Sequence, residues 1–127
     1  MNPYDAAHAL AKALRESTEF KELKEAQVNL KADRSALNML TDFRKLQFEL
    51  QKQQLSGIEV AEEQKEKIEK LFEVISLNNL VKNFMQSEYR VAVMLQDAQK
   101  TIGEATDEIF DPELLALPQE ESGEEEA

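Results

Sequence analysis

Apolar residues recur along this chain at spacings of three and four, the mark of helices that bury one face. The last such row is the most regular. Val81, Phe84, Val91, Leu95, Ala98, Ile102, Ala105 and Ile109 make a heptad-type seam broken only by Glu88. Leu80, Val93 and Met94 widen it, as in a bundle helix with more than one neighbour. A second row, Leu40, Phe43 and Leu50, flanked by Leu37, Met39 and Leu46, is broken by Gln47. Shorter rows are Tyr4, Ala7, Leu10, Ala11 and Leu14, then Phe20, Leu23 and Leu30 with Gln27 between them, then Ile68, Leu71, Phe72 and Ile75.

Punctuation divides these rows into helices. No proline lies between Pro3 and Pro112, and the only glycines in that span are Gly57 and Gly103. Asn2 before Pro3, then Ser17 and Asp33, are placed to cap three successive helices, the third running to about Leu55 and ending at Ser56-Gly57. The run from Glu59 to Lys67 is nearly all charged and polar, so the turn at Gly57 is expected to project into solvent. Asn78 or Asn79 can cap the last helix, which Gly103 is expected to fray or end. The pattern predicts an all-α protein, an antiparallel bundle of about five helices with a long helical hairpin, packed at shallow angles. Its two longest apolar rows exceed what two short N-terminal helices can cover, which predicts self-association as a dimer or higher homo-oligomer.

The two polar breaks suggest a relation. Gln47 lies ten residues before Gly57 and Glu88 ten after Asn78, so a chain running up, down and up brings them to one level. Three readings of Glu88 stand side by side. It belongs to a polar pocket or partner contact; or it is a carboxylate satisfied by Gln47, Arg44, Lys45 or Arg90 that fixes register; or it faces water because the seam rotates locally. The residues expected to carry assembly and register are Phe43, Leu46, Gln47, Leu50, Phe84, Glu88, Val91 and Leu95.

Charge narrows the partners. Of the net charge of −11 over 127 residues, −7 falls in residues 111–127 and −4 in residues 1–110. The reading is one helical domain over 1–110 and an acidic, disordered, solvated tail over 111–127. Acidic surfaces repel phosphates, which argues against direct nucleic-acid binding. No apolar stretch approaches the roughly 20 residues that span a bilayer, and no leader pattern is visible, so a cytoplasmic protein without membrane contact is expected.

Candidate chemistry is sparse. The absence of cysteine excludes disulfides, thiolate metal sites and a cysteine nucleophile. His8 is the sole histidine, which rules out paired-histidine metal sites, and Ser17 is better explained as a cap than as a nucleophile served by it. No glycine-rich phosphate loop and no glycine-centred calcium loop occurs. Met39, Met85 and Met94 fall at core-type helical positions. No cofactor, metal or small-molecule substrate is expected, and the chain reads as a non-enzyme.

From Tyr4 to Phe110 the chain resembles the YlbF/YmcA family of small helical bacterial proteins, most closely its cysteine-free YheA-like branch. The resemblance lies in a short helix, then Ser17-x-x-Phe20-x-x-Leu23, Phe43-x-x-Leu46-Gln47 leading to Gly57, and Asn78-Asn79-Leu80-Val81-x-x-Phe84 with Glu88. It implies a cytoplasmic helical protein of low-GC Gram-positive bacteria that forms dimers or larger assemblies. Better-studied branches act as adaptors influencing competence, sporulation, biofilm formation and messenger RNA turnover, and bind iron–sulfur clusters through cysteines. This chain has none, so the resemblance carries no cluster over to it. The primary reading is a protein–protein interaction module with a regulatory adaptor role. The alternatives are a chaperone-like or structural helical-hairpin protein using the Gly57 tip as an arm, and an enzyme with a carboxylate site at Glu88.

Overall fold

The computed structural model describes residues 1–116, and its elements are set by local side-chain chemistry. α1 (Pro3–Arg15) begins where Asn2 Oδ1 accepts from the Asp5 amide, with Pro3 in the position that needs no N–H donor. α2 (Thr18–Ala32) is capped by Ser17 Oγ and α3 (Arg34–Leu55) by Asp33 Oδ1, each accepting from an amide three residues on. α3 ends in a Schellman motif: Gly57 N–H donates to Gln54 O and Ile58 N–H to Gln53 O, with Gly57 at φ +78°. Ala61 offers no side-chain oxygen to cap α4 (Glu62–Ser76), but Gln64 Oε1 reaches back to accept the Ala61 N–H. Of the two asparagines ahead of α5 (Asn79–Thr106), Asn78 is the cap, its Oδ1 accepting from the Leu80 and Val81 amides.

The chain forms two compact units, Met1–Val91 and a second beginning at Ala92. The first holds a bundle in which α2, α3, α4 and the start of α5 alternate in direction. Phe43 of α3 meets Phe72 of α4 with ring centroids 5.7 Å apart, so these two run antiparallel across Gly57. Met39 lies beside Asn78, and Arg44 beside Phe84 and Glu88, so α3 and the start of α5 advance in the same sense. α2 runs the other way, with Glu22 at Arg90 and Ala26 and Asn29 level with Asn83 to Ser87. Among the described residues there are six helices and no strand, an all-α antiparallel bundle with α3–α4 as its long hairpin.

The core joins Ala26 and Leu30 of α2, Ala36, Leu40 and Phe43 of α3, Ile75 of α4, and Val81 and Phe84 of α5. Ile75 and Val81 are the bulkiest fully buried side chains, each worth about 1.5–3 kcal/mol of transfer free energy. Four features differ from expectation. The apolar row Tyr4, Ala7, Leu10, Ala11 and Leu14 of α1 is not covered: no residue of α1 is buried and Tyr4 is 80% exposed, because among the described helices only α2 meets it. The apolar row of α2 passes through Ala26 rather than Gln27, because a methyl group lets α2 approach its neighbours closely while Gln27 stays exposed. Val60 is buried within the otherwise exposed segment that follows Gly57. Gly103 neither ends nor interrupts α5, which continues to Thr106 because a single glycine weakens a helix without breaking it.

The second unit, by itself, holds the remainder of α5, a 3-10 turn over Asp107–Ile109 and the one-turn helix α6 (Pro112–Leu115). Asp111 caps α6 and Pro112 opens it, so the start of the acidic segment 111–127 is locally ordered. The rest of that segment lies outside the described residues. The two helix-region glycines predict opposite outcomes in thermal denaturation. Gly57→Ala places a Cβ in open space but at a left-handed φ, and is expected to lower stability by about 1–2 kcal/mol. Gly103→Ala, also meeting no neighbour but at a helical φ, is expected to raise it by about 0.5–1 kcal/mol.

Candidate functional site

The polar break on α5 is resolved by an arginine. Glu88 accepts two hydrogen bonds from Arg44, Nη1 to Oε2 at 3.2 Å and Nη2 to Oε1 at 2.5 Å. The guanidinium also lies 5.5 Å from the ring centroid of Phe84, so one α3 side chain holds two α5 residues. Gln47, expected opposite Glu88, is instead exposed. A charged, planar fork one turn earlier outcompetes a neutral amide for a carboxylate. Both partners keep 41% of their side-chain surface exposed, so this is a rim contact rather than a sealed buried pair. A second cross-helix pair, Arg90 to Glu22 at 3.3 Å, closes a small polar cleft of about 240 Å³ between α2 and α5.

The remaining residues expected to carry assembly divide by burial. Phe43, Leu50 and Phe84 are buried within one chain, and Leu46 and Val91 are half-buried. Leu95, with 42% of its surface exposed, is available to a partner. The structure therefore uses the first three as core and leaves the later part of the α5 seam open.

A second surface was not anticipated from sequence. Beside the α2–α3 contact lies an open groove of about 670 Å³, lined by residues of both helices and by Phe84 of α5. Leu30, Leu40 and Phe84 form its floor, and Phe48 stands on its wall 63% exposed. Lys31, Arg44, Lys45 and Lys52 surround it, with Glu49 the one acid among the lining residues. The Lys52 ammonium sits 5.9 Å from the Phe48 ring centroid. The available signal was Phe48 itself, an aromatic residue lying off the apolar stripe of its own helix. Among the described residues no group of histidine, aspartate or glutamate side chains is arranged to hold a metal ion, and no helix is long and apolar enough to cross a membrane.

The family model described as control of competence regulator ComK, YlbF/YmcA, matches residues 4–106. The chain belongs to the YlbF/YmcA family. Within it, a UPF0342 protein of Alkalihalophilus pseudofirmus is 42% identical over 109 residues, covering 86% of this chain and 92% of the relative. A UPF0342 protein of Symbiobacterium thermophilum is 41% identical, covering 82% and 93%. A solved structure, a protein of unknown function (DUF964) from Bacillus stearothermophilus, superposes with a TM-score of 0.74 at 23% identity. The match covers 84% of this chain and 93% of that structure's chain, and shows that the two share a fold.

The exposure of the Arg44–Glu88 pair sets its expected worth. A double-mutant cycle on Arg44→Ala and Glu88→Ala, read by urea denaturation, should give a coupling energy of about 0.2–1 kcal/mol. Phe43→Ala, which empties part of the core, should cost about 3–5 kcal/mol in the same measurement.

Proposed function

We propose that this chain is a non-enzymatic interaction module that works as a self-associated helical scaffold, most simply a two-fold dimer, with the role of a regulatory adaptor in the cytoplasm. The observation that carries this reading is the open seam of α5. Beyond Ser87 no described residue is buried, yet Val91, Leu95, Ala98, Ile102 and Ala105 keep their apolar three-and-four spacing. Leu95 is 42% and Ile102 55% exposed. A lone helix with an apolar row gains nothing from that row in water, whereas a second copy of the seam covers it by coiled-coil packing.

The family description, control of a competence regulator, supports a role exerted through other proteins. The alternative of a carboxylate active site at Glu88 is weakened by its pairing with Arg44, which holds both carboxylate oxygens. Sedimentation of the full chain at micromolar concentration tests the scaffold directly: a dimer is expected, and a stable monomer overturns the reading. Leu95→Glu with Ile102→Glu should shift that dimer to monomer while leaving helical circular dichroism in place. Affinity capture of the tagged chain from its host, with and without nuclease, then reads which partners it joins and whether RNA bridges them.

A further inference from the structure

The chain's acidity is divided unevenly. Residues 92–127 carry eleven of the 26 acids and one of the 15 bases, a net charge of −10, against −1 for residues 1–91. No basic residue follows Lys100. Within this acidic stretch Ile109, Phe110, Leu114 and Leu115 are exposed, interleaved with Asp107, Glu108, Asp111 and Glu113. The groove between α2 and α3 has the opposite character. Its floor is apolar, Phe48 is left on its wall, and Lys31, Lys45 and Lys52 ring it; among the described residues none of these three lysines takes part in an ion pair.

We propose that this groove seats the acidic, apolar segment Asp107–Leu115 of a second copy of the chain. The inference rests on self-association as read above and names the surface and the segment that complete it. Phe110, in the link between the 3-10 turn and α6, and Leu114 of α6 are 56% and 84% exposed and supply bulky side chains for the apolar floor. The flanking carboxylates meet the lysine rim, where complementary charge sets specificity and register. A second copy that covers the α5 seam brings its own C-terminal segment with it.

Charge exchange between full-length chains tests the proposal. One variant carries Lys45→Glu and Lys52→Glu; the other carries Asp107→Lys, Glu108→Lys and Glu113→Lys, all at exposed positions. Each alone should keep its helical circular dichroism and weaken self-association, read by analytical ultracentrifugation, on the order of tenfold. An equimolar mixture of the two should recover wild-type association, because every groove then faces a segment of opposite sign. Unchanged association in either variant, with the wild type self-associated, overturns this inference and leaves the scaffold reading standing. A mixture that stays dissociated overturns it also, as it must if the segment occupies the groove of its own chain. A monomeric wild type removes both readings together.

Discussion

Ala36, Leu40 and Phe43 form one row on α3, and Leu30 of α2, Ile75 of α4 and Val81 and Phe84 of α5 join them in a single buried cluster. One helix thus serves three neighbours with three successive positions, and its small residue decides how closely they approach. Ala36 is fully buried, as a methyl group at a crowded crossing must be. If α3 were displaced, α2, α4 and the start of α5 would have no common surface. The Arg44–Glu88 contact lies at the edge of this cluster and orients α5 without sealing it.

The same cluster borders the groove. α2 and α3 share a corner at Asp33 and pack together through Ala26, Leu30, Ala36 and Leu40, and the groove opens beside this contact. Along the groove α3 carries Phe48, Lys45 and Lys52, with Phe84 of α5 in the floor. A short, heavily charged α2 cannot fill that space.

Most of the helix boundaries were legible because they are local. Asn2, Ser17, Asp33 and Asn78 each bond an amide two or three residues away, and Gly57 supplies a φ that other residues resist. The candidate site was harder to read. Gln47 and Glu88 were legible as breaks in apolar rows, but row position says nothing about which long side chain arrives first. Arg44 won because it reaches across the interface with a charge and two donors. Ala26 went unnoticed because small residues carry little hydrophobic signal, although packing depends on them.

By itself, then, the sequence determined the all-α class, the helix caps, the hairpin turn and the family, since each depends on neighbours along the chain or on the pattern as a whole. Only the tertiary structure decided that Gln47 faces outward, that Glu88 belongs to Arg44, that Phe84 closes the core while Leu95 stays open, and that a lysine-ringed apolar groove exists. Those outcomes depend on the distance and angle between helices, which packing volumes set and which no spacing along a single helix encodes.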